Sequence, residues 1–217
     1  TLAVVGTSGS GKSTLINLIA RLYDATDGEV LIDGKNIKDY TFESLYSKVG
    51  YIGQKAIVFS DTIANNVAFG ETKTKVGEDE IKKAIEIAQG KEFVENMKDG
   101  YNSEIAQGGI NISGGQKQRL AIARIIAKKP EILIFDDSFS ALDFKTDKKL
   151  REELKRNLKD TTCVIVASRI GTIMNADQIL VLDDSELVGK GTHEELLQNC
   201  EVYKEIALSQ LSAQELE

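Results

Sequence analysis

The 217-residue sequence predicts an α/β fold: a largely parallel sheet covered by helices, with a helical subdomain inserted into it. Three observations predict it. Short apolar runs at residues 2–5, 132–135, 162–167 and 178–182 read as buried strands, because a strand covered on both faces has no polar face to show. Helix-patterned segments lie between them, as crossovers between parallel strands require. A polar, helix-patterned stretch from about residue 56 to 129 interrupts this alternation, so a core of residues 1–55 and 130–217 is expected to carry an inserted subdomain.

The first strand is Leu2, Ala3, Val4 and Val5. A glycine-rich turn follows, after which Leu15, Ile16, Leu18, Ile19 and Leu22 recur at helical spacing. Two short strands, at residues 30–34 and around 36–40, are expected to join through Asp33 and Gly34, and another strand is expected at 48–53. Helices are expected around 78–89, 91–97 and 116–128. The strand at 132–135 restores the α/β pattern, followed by a helix from about 144 to 158 and strands at 162–167 and 178–182. Pro130, the only proline, stands between a helix and a strand, where its missing N–H costs little. Residues 202–217 read as a polar helix with no evident task.

Composition bounds the function. With 41% hydrophobic and 28% charged residues, the chain can bury an ordinary globular core. A net charge of −7 argues against nucleic acid as a partner, since phosphodiester backbones are met by a basic excess. Cys163 and Cys200 have no CxxC spacing and lie in apolar or helical patterns, which suits reduced thiols in a cytosolic compartment. No uncharged apolar stretch approaches the roughly 18 residues of a membrane span, and no signal peptide is expected within these residues. Because Thr1 opens directly into the first apolar strand, the chain is expected to have been cut from a longer polypeptide.

Gly6, Thr7, Ser8, Gly9, Ser10, Gly11, Lys12, Ser13 and Thr14 satisfy GxxxxGK[ST] between a strand and a helix, the context the motif's mechanism demands. The glycines let successive N–H groups turn toward phosphate oxygens, and the following helix offers its positive end to the same anion. Lys12 would reach the β- and γ-phosphates, and Ser13 would ligate Mg2+. Downstream, the apolar run 132–135 ends in Asp136 and Asp137, the Walker B pattern. Alternate strand residues face opposite ways, but where the strand ends the chain turns and both carboxylates can approach the phosphates. Asp136 would hold Mg2+, and Asp137 would stand beside the attacking water as general base. The plainer alternative is an acidic pair capping a helix.

Asn111, Ile112, Ser113, Gly114, Gly115, Gln116, Lys117, Gln118 and Arg119 open a further helix carrying Leu120, Ala123, Ile126 and Ala127. Ser113 suits the N-cap, and the paired glycines permit close backbone approach, so this helix start is a second anion site. With these residues the sequence resembles the nucleotide-binding domain of ABC exporters along nearly its whole length. The family signature LSGGQxQR here reads ISGGQKQR, the Q-loop is matched at Gln54, the D-loop by Ser140, Ala141, Leu142 and Asp143, and the late GTHEEL run at residues 191–196.

The resemblance implies a P-loop NTPase core and ATP and Mg2+ as ligands. It implies head-to-tail pairing with a second such domain, so that each ATP lies between one P-loop and the other chain's Ser113, Gly114, Gly115 and Gln116. It further implies that Gln54 touches Mg2+ or its water and relays the nucleotide state to transmembrane domains, here expected to be fused N-terminally, which would set the chain at the cytoplasmic face of the cell membrane. The family's adenine-stacking aromatic residue falls upstream of this chain.

Two departures stand out. Most of the family has Glu after the Walker B Asp, and this chain has Asp137; the shorter carboxylate falls back by roughly 1.5 Å, and a misplacement of about 1 Å can cost on the order of 100-fold in rate. The family's switch His is matched by Ser168, which cannot offer a positive charge to a γ-phosphate. With the run Ile105, Ala106, Gln107, Gly108, Gly109 before the signature, these resemble the degenerate half of heterodimeric bacterial exporters. The chain's own site would then be slow, while its signature completes a faster site on a different, catalytically complete chain. A competent homodimeric exporter and a stand-alone importer subunit are the alternatives. A chromosome-maintenance ATPase would need long coiled coils between the motifs, which are absent, and a small-molecule kinase has no use for the signature. His193, the only histidine, reads as a helix-start residue.

Overall fold

The computed structural model describes residues 1–70 and 76–210. They form two compact units, one of residues 1–51, 132–140 and 162–210, the other of residues 52–70, 76–131 and 141–161.

The first unit is built on a six-stranded sheet. β1 (Leu2–Gly6) is flanked by β6 (Thr162–Val166) and β7 (Gln178–Asp183), parallel to both. β5 (Ile132–Asp136) runs parallel to β6, and β8 (Glu186–Gly191) closes the far side antiparallel to β7. With β4 (Val49–Ile52) the order is β4-β5-β6-β1-β7-β8. The register aligns Val4 with Val166, Asp136 with Val166 and Gly6 with Leu182, so the carboxyl ends of four parallel strands finish on one edge. Ligands of open α/β sheets bind at this edge.

α1 (Lys12–Ile19) packs on the sheet through Ile16, and Val4, Ile16, Ile134, Val164, Val166 and Leu182 belong to one buried core. Leu22, expected in this helix, lies beyond its end and is half exposed. The helix stops because Arg21 takes a left-handed conformation (φ 51°) and sends its guanidinium to the carbonyls of Ile37 and Tyr40.

The short strands are β2 (Leu31–Ile32) and β3 (Lys35–Asn36), joined through Asp33 and Gly34, both at positive φ. The strand expected around 36–40 turns instead into a 3-10 helix, Ile37–Asp39, because the Asn36 side chain accepts the Lys38 N–H and buried Ile37 anchors the turn. α2 (Phe42–Lys48), capped by Thr41, was not foreseen. α8 (Ile170–Ile173), α9 (His193–Asn199) and α10 (Glu201–Leu208) complete the unit. His193 stands at the first position of α9 after its N-cap Thr192, and its Nδ1 lies 2.7 Å from the hydroxyl of fully buried Tyr203. Residues 211–217 of the expected terminal helix lie outside the described residues.

The second unit contains α3 (Ile63–Ala68), α4 (Glu78–Ile87), α5 (Lys91–Glu95), α6 (Gly114–Ala127) and α7 (Phe144–Asn157). α6 packs against α3 and α4, and its Leu120, Ile122 and Ala123 are fully buried. Buried Asn66 bonds both ways with Phe59, and Arg124 donates to the Asn66 carbonyl at 2.7 Å. Residues 141–161 fall in this unit because α7 packs on α4. Both cysteines are buried free thiols. Among the described residues no helix is long and apolar enough to cross a membrane.

Candidate functional site

The loop after β1 is shaped by its glycines. A Cβ on Gly6 would lie 2.0 Å from the Leu182 carbonyl oxygen, so no other residue fits where the loop leaves the sheet. Gly9 (φ 81°) and Gly11 (φ 89°) adopt left-handed conformations, and Gly11 is the N-cap of α1. Ser10 is buried and its N–H donates to the Thr7 carbonyl at 3.3 Å. The Lys12 ammonium lies within this loop, donating to the carbonyls of Gly6 (3.0 Å) and Thr7 (2.6 Å) and to Ser10 Oγ (3.4 Å). Burial lowers its pKa, and the charges of Asp137 and Asp136 oppose that shift. Ser8, Ser13 and Thr14 are exposed on the same loop and the first turn of α1.

β5 delivers the carboxylates to this loop. Ser13 Oγ donates to Asp136 Oδ1 at 3.2 Å, and the Tyr51 hydroxyl donates to Asp136 Oδ2 at 2.9 Å. Burial first, and then the bond to Asp136, push the Tyr51 phenol well above its ordinary pKa. Asp137 takes a left-handed conformation (φ 46°), which Asp tolerates better than most residues, and the chain turns there so that both carboxylates act on Lys12. Ser168 follows β6 on the neighbouring strand end. Its hydroxyl (3.2 Å) and its N–H (3.4 Å) both donate to Asp137 Oδ1. Ser140 donates its N–H (3.2 Å) and hydroxyl (2.7 Å) to the Asp137 carbonyl, bracing the turn.

Lys12, Ser13, Asp136, Asp137 and Ser168 are therefore gathered at one sheet edge. The arrangement fits a phosphate-bound divalent cation. Among the described residues no group of three or more His, Cys, Asp or Glu side chains forms a metal cage. Mg2+ does not need one: it is typically held by one or two carboxylates together with the phosphates of its substrate. Ser13 and Asp136 offer such oxygens beside the phosphate-cradling loop.

The remaining expected site residues belong to the second unit. Gln54 is exposed in a bend after β4. Buried Gln118 of α6 donates to the carbonyl of the preceding Gly53 at 3.3 Å, tying the start of that bend to the helix. Ser113 caps α6 in a reciprocal box: its Oγ accepts the Gln116 N–H at 3.2 Å, and its own N–H donates to Gln116 Oε1 at 2.8 Å. A Cβ on Gly114 would meet nothing within 4 Å, and one on Gly115 would meet the Ala141 carbonyl at 3.4 Å. Packing within the unit thus does not demand the exposed Gly114, and its bare backbone at a 14-residue helix's positive end suits an approaching anion. Asp143 caps α7, accepting the Thr146 N–H at 3.0 Å and its hydroxyl at 2.7 Å, and these bonds lower its pKa.

The sequence assigned no role to Tyr51 or to Asp183, whose Oδ1 accepts the Thr7 hydroxyl at 2.8 Å. Asp183 is 176 residues from Thr7, and only strand register brings them together. Tyr51 carried one signal, a polar tip inside an apolar strand.

A model of the ABC transporter family matches residues 1–140. An ABC transporter ATP-binding protein of Mycobacterium tuberculosis is 46% identical over 211 residues, a span covering 97% of this chain and 36% of that protein. A putative multidrug export ATP-binding/permease protein of Staphylococcus aureus is 44% identical over 206 residues, covering 95% of this chain and 35% of that protein. The solved structure of a bacterial Atm1-family ABC exporter with ATP bound is similar at a TM-score of 0.91 and 38% identity, covering 96% of this chain and 36% of that one. The chain spans about a third of the length of these relatives.

Proposed function

The chain belongs to the ABC transporter family, and from that premise we propose that it is the ATP-binding motor domain of an exporter, pairing head to tail with a second nucleotide-binding domain. The observation that carries this reading is the meeting of Ser13 and Asp136 at 3.2 Å beside Lys12, at the edge where the phosphate loop opens. The likeness to the export protein of Staphylococcus aureus and to the Atm1-family exporter supports export over import. In this reading transmembrane domains are joined N-terminally and the motor lies at the cytoplasmic face of the cell membrane.

In this reading residues 1–55 and 130–217 act as the nucleotide-binding core and residues 56–129 as the signature subdomain. The N–H groups of residues 6–14 and the Lys12 ammonium bind the phosphates of ATP. Ser13 and Asp136 hold Mg2+, with Gln54 as the further ligand that the family resemblance implies. The cation, when bound, neutralises phosphate charge and polarises the terminal phosphoryl group. Tyr51 keeps the Asp136 carboxylate oriented. Asp137 is the group that would take a proton from water. Ser113, Gly114, Gly115 and Gln116 offer the start of α6 to the partner's nucleotide, and Ser140 and Asp143 belong to the D-loop between the two sites.

We also propose that the chain's own site is hydrolytically weak. Asp137 has a short carboxylate whose Oδ1 accepts two bonds from Ser168, and Ser168 carries no charge to meet a γ-phosphate. The intact signature would then serve a catalytically complete partner chain. The test compares ATP binding and turnover of the natural domain, extended upstream to include the adenine-stacking residue, with the Asp137→Glu plus Ser168→His double variant. The expected result is Mg-ATP binding with scarcely any turnover by the natural domain, and restored hydrolysis in the double variant. Fast turnover by the natural domain would overturn the weak-site reading and favour a homodimeric exporter.

A further inference from the structure

The residue that follows α10 and its cap reaches the nucleotide site's edge. Gln210 sets its side-chain amide against the loop after β6: Oε1 accepts the Ile170 N–H at 2.9 Å, and Nε2 donates to the Ser168 carbonyl at 2.9 Å. One planar amide thereby brackets residues i and i+2 of that loop. Between them Ser168 donates twice to Asp137 Oδ1, and the Arg169 guanidinium donates to the Ser140 carbonyl at 3.5 Å.

The other end of this clamp is fixed. Tyr203 and Ala207 of α10 are fully buried, the Tyr203 hydroxyl meets His193 Nδ1, and the Gln210 N–H donates to the Ala207 carbonyl at 3.0 Å. Gln210 itself is exposed, so apolar packing does not account for its amide. An amide suits this position, because the loop presents one donor and one acceptor and Gln210 meets both from one rigid plane. A carboxylate could accept from Ile170 but would face the Ser168 carbonyl with a second acceptor, and a hydrocarbon could satisfy neither.

We propose that Gln210 is a positioning residue: by holding the backbone of Ser168 and Ile170 it sets how Ser168 meets Asp137, and so couples the nucleotide site to the C-terminal helix. The proposal rests on the reading of Asp137 and Ser168 as groups flanking the terminal phosphate. It gives the terminal helix a task that its polar sequence did not disclose.

The test uses the full-length protein that contains this chain, with Gln210→Leu removing both bonds at similar size and Gln210→Glu keeping only the acceptor. Amide hydrogen exchange without nucleotide should quicken roughly tenfold at residues 168–171 in Gln210→Leu, as expected for two lost hydrogen bonds, and less in Gln210→Glu. Residues 2–16 and 201–207 should be unchanged. The lifetime of Mg-ATP on this chain, read by cross-linking azido-ATP, should shorten by about threefold, within the coupling seen between contacting residues. In a Ser168→Ala background, which keeps only the backbone N–H bond to Asp137, Gln210→Leu should shorten that lifetime less.

A loop that exchanges no faster would overturn the clamp. Equal shortening with and without the Ser168 hydroxyl would reduce Gln210 to general support of the fold and overturn its positioning role. If the unaltered protein failed to bind Mg-ATP, the proposed function would fall, while the exchange experiment would still decide the clamp.

Discussion

Replacing Tyr51 by Phe removes one oxygen atom and one hydrogen bond while leaving the ring in place. The phenol donates to Asp136 Oδ2 at 2.9 Å and Ser13 donates to Oδ1 at 3.2 Å, so the variant frees one of the two oxygens of the carboxylate proposed to hold Mg2+. A hydrogen bond to an ionised acceptor contributes about 1.5–3 kcal/mol. Tyr51 is only partly buried, and water can replace some of that bond, which brings the loss to about 1–1.5 kcal/mol, or roughly tenfold in affinity. Loss of residues that orient metal ligands costs about 10–100-fold in other sites, so the two routes meet at the lower end. The assay is a Mg2+ titration of the binding of a fluorescent ATP analogue. Half-saturation should require about ten times more Mg2+ in Tyr51→Phe, with binding in the presence of a chelator changed less than about twofold. An unchanged Mg2+ requirement would refute the reasoning. Equal weakening with and without metal would refute it too, because Tyr51 would then be supporting the phosphate loop rather than orienting Asp136.

Two further outcomes follow from the caps and the single histidine. Ser113→Ala breaks the reciprocal box at the start of α6 and should cost about 1 kcal/mol, a fall of about 2–4 °C in Tm by calorimetry, with ATP binding at the chain's own loop unaffected. Burial holds the His193 imidazole below its ordinary pKa of 6.5, against the opposing charge of Glu194. The unfolded chain therefore takes up this proton first as the pH falls: the stabilisation is complete above the ordinary histidine value and is lost as the pH drops through it toward the folded value. Unfolding free energies from denaturant titrations between pH 8 and 5 should fall less steeply in His193→Gln, by at most about 1.4 kcal/mol per pH unit, and parallel curves for the two proteins would refute the assignment.

The parts of the site that lie in continuous sequence were legible from the sequence itself. Gly6 to Thr14 declare a phosphate loop because glycine spacing, Lys12 and the flanking strand and helix act locally, and Ser113 with Gln116 declares a helix cap for the same reason. Asp136 and Asp137 were legible because the apolar strand before them is unmistakable. The contacts that sharpen the site were not, since they depend on which strand lies next to which. Tyr51 and Asp136 are 85 residues apart, Thr7 and Asp183 are 176 apart, and Gln210 and Ser168 are 42 apart. No periodicity reports such pairs. The fold showed the same division: strands 132–136 and 162–166 were plain, whereas α2 was missed and residues 37–39 were assigned to a strand, because a capping Asn36 outweighed a weak strand pattern.

Asp137 and Ser168 are best understood as one unit. Each is short, and together they close to 3.2 Å across the ends of two neighbouring strands while Ser140 braces the turn that carries Asp137. Lengthening Asp137 alone to Glu would press a longer carboxylate toward a serine held in place from behind by Gln210. Enlarging Ser168 alone to His would set an imidazole against a carboxylate that still falls short of the proposed water. Residues in contact rarely act additively, so neither single change should recover the turnover expected of the double variant. A near-additive result would mean that each side chain meets the nucleotide separately, and the hydrogen bond between them would then have no part in the site's proposed weakness.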